Sequence, residues 1–195
     1  MLNKKDSALL RSKLYVPIVV RDILDAPDPL ADDEQYALHE TISDLQPDSA
    51  LLCIALAAKQ IANCAPYPSA TLKVLDIECE RIIDDYAPLW LEHAREKHTD
   101  ETLVFDTLAN IPEDLESLAE LLEVNGAFFS NHDPKAAEIC NILFIQAGAH
   151  ALIAEEFIGV IDEEADEPVD FNIIPEAQKT ENLNNVIQFP FAGKT

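Results

Sequence analysis

Between Ile139 and Ala154 the chain runs for 16 residues without an Asp, Glu, Lys or Arg. A helix that shows one side to water carries charge every turn or so, so an uncharged helix must be enclosed by protein or lie in lipid. A bilayer-crossing helix needs roughly 20 apolar residues, and this run is shorter and contains Asn141, Gln146 and His150. A central core helix is the expectation. Asp133 is its cap, Pro134 its first residue, and it runs to about Ile161.

A core helix needs neighbours. The segment 47–64, "PDSALLCIALAAKQIANC", is the second one, uncharged from Ser49 to Ala58 and broken afterwards by Pro66 and Pro68. A third starts at Ser69 as cap, and its packed face is read from Leu72, Leu75, Cys79, Ile82, Tyr86, Leu89 and His93. Pro88 removes an amide donor there and should kink it near Asp84. A helix over about 29–45 is expected to open with Asp28 as cap and Pro29 in first position. The segment 99–126 should be split by Pro112 and stopped by Asn125-Gly126. "YVPIVVRDIL" is β-branched and interrupted by Pro17, and reads as extended or irregular.

With only four glycines in 195 residues, sandwiches, barrels and Gly-rich phosphate-binding folds are disfavoured. The expected fold is all-α: a single-domain helical bundle of about five main helices, an irregular N-terminal arm and an extended acidic C-terminal tail. The divisions are a basic arm at 1–27, the bundle at 28–161 and the tail at 162–195. The second, third and last helices should form the core.

Charge is lopsided. Residues 1–21 carry five basic residues against Asp6, and the remainder carries eight basic and 36 acidic, within a net charge of −24. Such a body repels phosphate backbones, so direct nucleic-acid binding is not expected, and a partner with a basic surface is. Asp76, Glu80 and Asp84 recur at i, i+4 and i+8 on one helix face, a candidate acidic interaction surface or an imitation of spaced phosphates. The plainer reading is a solvated face under general acidity. In the tail, "VIQFPF" carries Ile187, Phe189 and Phe191, a sticky segment able to lie on its own body or on a partner.

The motifs of several chemistries are missing. The residues three before the histidines are Tyr36, Trp90, Arg95, Phe129 and Ala147, so the Glu-x-x-His of di-iron bundles does not occur. HExxH, GxSxG, the P-loop and GxGxxG do not occur either. His132-Asp133 matches the dipeptide of metal-dependent phosphohydrolases, but Asp133 before Pro134 is more simply a helix cap. No metal or cofactor is expected. Cys53, Cys64, Cys79 and Cys140 form no CxxC pair and read as buried reduced thiols, which suits a cytoplasmic protein.

His150 remains. Glu155 and Glu156 stand about 120–140° around the helix from it. Gln146, one turn earlier, shares its face and is the candidate hydrogen-bond neighbour. The small residues Ala147, Gly148, Ala149 and Ala151 suggest that another helix packs close by. His93, Gln146 and His150 together mark a candidate pocket. The expected function is non-enzymatic binding of a basic or nucleic-acid-binding protein, in the manner of a DNA mimic or inhibitor. The alternatives are an enzyme or small-ligand protein with a pocket near His150, and an architectural homo-oligomer.

Overall fold

The computed structural model describes residues 14–64, 69–95 and 109–165. The described residues form six α-helices and no strand: α1 (Val16–Asp25), α2 (Asp32–Ser43), α3 (Pro47–Cys64), α4 (Ala70–Arg95), α5 (Ile111–Phe129) and α6 (Pro134–Ala165). The fold is an all-α bundle. The described residues up to Val160 form one compact unit, and residues 161–165, the last turn of α6, belong to another.

The uncharged run in α3 is enclosed as its composition requires. Ala50 to Ala55, Ala57, Ala58 and Ile61 are all buried. This helix packs against α1, α2, α4 and α5. In α6, Ile139, Cys140, Ile142, Leu143, Ala147, Ala151 and Ala154 face inward. Pro134–Glu156 is long and apolar enough to cross a membrane by length and composition, and 50% of that window is buried inside the bundle. The buried thiols of Cys53, Cys79 and Cys140 are free. Burial pushes each up to about 12, which leaves them inert at neutral pH. The side chain of Cys64 lies outside the described set.

The caps at Ser69 and Asp133 hold. The Leu72 amide donates to Ser69 Oγ at 3.0 Å, and the Ala136 amide to Asp133 Oδ1 at 3.1 Å.

Elsewhere the structure departs from the expectations. Residues 16–25, expected as an irregular arm, form α1. Pro17 occupies the first turn, where its missing N–H leaves no bond unmade. Val16, Val20 and Ile23 recur on one buried face, and packing on α3 outweighs the weak helix preference of β-branched residues. Lys135 Nζ closes the far end, donating to the carbonyls of Ile23 and Ala26.

α2 begins at Asp32, not at Pro29. The carboxylate of Glu34 accepts the Ala31 amide at 3.0 Å, and the acidic triplet Asp32, Asp33 and Glu34 then occupies the first turn. Pro112 stands in the first turn of α5, where a helix starting at the expected division would place it; the first half of that segment, 96–108, lies outside the described residues.

Asn125-Gly126 does not end α5, which continues to Phe129. Asn125 is buried and donates to the Leu121 carbonyl at 2.7 Å and weakly to the Thr71 carbonyl of α4. A Cβ on Gly126 would stand 3.3 Å from Cys140 Cβ, so this glycine is the close approach of α5 to α6. The small residues Ala147, Gly148, Ala149 and Ala151, expected to meet a neighbouring helix, divide: Ala147 and Ala151 are buried, whereas a Cβ on Gly148 would meet nothing within 4 Å and Ala149 is exposed.

Candidate functional site

Besides Asn125, the buried polar side chains among the described residues belong to two clusters. The larger lies in a cleft of about 600 Å³ between α4 and α5, lined by Glu78, Arg81, Asp85, Tyr86, Leu89, Asn110, Glu113, Asp114 and Ser117. Its centre is Arg81. Glu78 one turn before and Asp85 one turn after share its helix face, and their carboxylates lie 2.6 and 3.3 Å from it. The third partner comes from the other helix. Asp114, 8% exposed in the first turn of α5, takes Arg81 Nη2 on one oxygen and the Tyr86 hydroxyl on the other, each at 2.5 Å.

The electrostatics follow from this arrangement. Asp114 sits at the positive end of the α5 dipole, where an anion is stabilised. Hydrogen bonds from Arg81 to Glu78 and then Asp114 raise the guanidinium further above its usual range, so it stays charged. Burial first, and the Asp114 hydrogen bond second, push Tyr86 up, so its phenol stays protonated and donates. Tyr86 therefore cannot serve as a base at neutral pH. Among the described residues the cleft holds four carboxylates, those of Glu78, Asp85, Glu113 and Asp114, against one guanidinium. It offers charge and hydrogen bonds rather than an activated nucleophile.

Sequence reasoning missed this site. Tyr86 was placed on the packed face of α4, and it is indeed buried. Leu89, placed on the same face, is 42% exposed and lines the cleft, because the buried stripe moves on to Ala87 and Leu91. The spacing Glu78, Arg81, Asp85 was a usable signal. The contribution of Asp114 was not.

The second cluster lies where α6 crosses α2. Gln146 and His150 are 2% and 1% exposed. Gln146 Nε2 lies 3.1 Å from both ring nitrogens of His39. His150 Nε2 lies 3.0 Å from the Ile42 carbonyl, and burial lowers its proton affinity. Gln146 and His150 are thus together, as their spacing implied, but each bonds to α2 rather than to the other. His93 is on α4, and its side chain lies outside the described set.

Of the acidic line on α4, Asp76 and Glu80 face Lys59 of α3 at 3.2 and 3.7 Å. Asp84 is exposed. Ile187, Phe189 and Phe191 lie outside the described residues. Among the described residues no group of three or more His, Cys, Asp or Glu is placed to hold a metal ion. No family model, curated protein or solved structure matches the chain.

Proposed function

We propose that the protein is a non-enzymatic binding module that receives a basic side chain of a protein partner in the α4–α5 cleft. The observation that carries this reading is the charge imbalance there. Arg81 is already engaged by Glu78, Asp85 and Asp114, and Glu113 adds a further carboxylate at the same opening. A guanidinium or ammonium from outside would meet several acceptors on a preformed wall, and the field of the acidic body would speed its approach. The cleft supports the reading better than the line Asp76, Glu80, Asp84, since Lys59 already balances part of that line. A cytoplasmic location, suggested by the reduced thiols, belongs to the same proposal.

An arginine-rich peptide is a suitable probe. Its affinity for the full chain, measured by titration calorimetry at low and high salt, should fall at least about tenfold with Asp85→Asn combined with Glu113→Gln. A control pair, Glu40→Gln with Glu120→Gln, removes the same charge elsewhere on exposed helix faces. If the control weakens the peptide as much as the cleft pair, binding is diffuse and the cleft reading fails.

A further inference from the structure

The acidic cleft is one end of a longer surface. Asn125 of α5 bonds to the Thr71 carbonyl of α4, whereas Asp114 of α5 takes Arg81 and Tyr86. Numbers rise along one helix as they fall along the other, so α4 and α5 run antiparallel. On α4, Val74, Ile77, Arg81 and Asp85 fall within an arc of about 80°. On α5, Glu113, Ser117, Leu121 and Val124 do the same, again within about 80°. Arg81, Asp85, Glu113 and Ser117 line the cleft. Continued in the same register, the two stripes bring Ile77 level with Leu121 and Val74 level with Val124.

That continuation is apolar and open. Val74, Ile77 and Val124 are half exposed or more, and Leu121 is half-buried against the core. Scattered apolar residues are ordinary on a surface, but these four sit on two facing stripes and run straight into the acidic cleft. We propose that this surface receives a helix of a protein partner along its length. The partner's apolar residues lie on Val74, Ile77, Leu121 and Val124, and a basic residue further along it enters between Asp85 and Glu113. This rests on the reading of the cleft as a receiver of a basic side chain, and adds the shape of the partner and the place of its charge.

Charge complementarity selects the occupant. The far end of the groove is acidic, and the whole chain carries −24, so a basic segment is drawn in while a second copy of the chain is repelled. A helix fits where a strand does not. The backbone groups of α4 and α5 are bonded within their own helices, so an extended segment finds no main-chain partners, whereas a helix satisfies itself. Arg81 sets the register. It stands one turn before Asp85, and a like charge on the partner at its level is repelled. Val74 and Asp85 are about 16 Å apart along the axis, which a partner helix spans in about 11 residues. The partner's pattern is therefore apolar at i and i+4, neutral at i+7 and basic at i+11, all on one face.

Two alanine-based helical peptides of the same composition test this against the full chain by titration calorimetry. Both carry Leu at i and i+4; one has Arg at i+11 and the other at i+7. The i+11 peptide should bind at least about fivefold more tightly. Ile77→Gln combined with Val124→Gln should weaken it at least about tenfold, and glutamine at these exposed positions suits a helix, so the fold is kept. Carbon chemical shifts of the labelled i+11 peptide should move to helical values on binding. If the glutamine pair leaves the affinity unchanged while Asp85→Asn with Glu113→Gln lowers it, the cleft reading stands and the helix-binding groove is overturned. If neither pair lowers it, both fall. Equal binding of the two peptides, no binding of either, or an extended bound peptide overturns the groove as well.

Discussion

Tyr86 and Asp114 are joined across the α4–α5 crossing by a 2.5 Å hydrogen bond, with the phenol donating to a carboxylate that also holds Arg81. The pair places a buried anion at the floor of the cleft and fixes how the two helices face each other. Neither residue is replaceable by an apolar one without consequence, but the consequences differ. Removing the hydroxyl leaves Asp114 with Arg81; removing the carboxylate leaves a buried hydroxyl without its acceptor.

Tyr86→Phe should therefore lower stability by about 1.5–2 kcal/mol, the usual net worth of a hydrogen bond to a charged group. Asp114→Ala should cost more, about 2–3 kcal/mol, because it also leaves Tyr86 unpaired and opens space. Urea unfolding of the two variants checks this. Equal losses, or a smaller loss in Asp114→Ala, would show that the phenol and not the carboxylate anchors the crossing.

Two glycines on neighbouring helices should respond in opposite ways. A Cβ on Gly148 meets nothing within 4 Å, so Gly148→Ala gains helix preference alone, about 0.5–1 kcal/mol. At Gly126 a Cβ would already press on Cys140 Cβ at 3.3 Å, and the larger Gly126→Val should lose about 1–3 kcal/mol by overpacking. Thermal unfolding of both variants settles it. A destabilised Gly148→Ala would mean that something covers that face of α6.

The same pair shows what a one-dimensional reading can reach. Helices enclosed on most sides leave a compositional trace, so α3 and α6 were legible from their uncharged runs. The caps at Ser69 and Asp133 were legible because capping is local. Gly126 was read as a stop because Asn-Gly usually is one. Its actual role depends on Cys140, which reaches it only through the packing of α5 on α6. Residues 16–25 were misread for a related reason, since β-branched residues and Pro17 disfavour a helix locally and the surface of α3 restores it. The cleft was half visible. Glu78, Arg81 and Asp85 share a face by spacing alone, whereas Asp114 joins them from 33 positions away.

His150 makes stability depend on pH. Its folded-state proton affinity is lowered from the ordinary value of 6.5, chiefly by burial, so the unfolded chain binds a proton more readily than the folded one. Stability from this group is fully present above pH 6.5 and is lost as the pH falls from there toward the folded value. The strongly acidic body also titrates at lower pH, so the informative quantity is the difference between the wild type and His150→Gln. That difference should shrink in favour of the variant as the pH drops from about 7.5 to 5.5, near the ordinary range of histidine. A difference independent of pH would show that the imidazole takes up its proton as readily in the folded chain as in the unfolded one.

Lys135 reaches from the first turn of α6 to the far end of α1, where its ammonium meets the Ile23 carbonyl at 2.7 Å and the Ala26 carbonyl. The last carbonyls of a helix have no partner within it, and the dipole concentrates negative charge there, so a cation is the fitting cap. Lys135→Met keeps most of the side chain's length and removes only the donor. It should cost about 1 kcal/mol. The loss should be local. Hydrogen exchange of the Ala26 amide, which closes the last turn on Asp22 and Ile23, should accelerate while amides in the middle of α3 keep their protection relative to global unfolding. Uniform acceleration across α1 and α3 would instead mean that α1 unfolds only with the whole bundle, and that Lys135 supports the fold as a unit rather than one helix end.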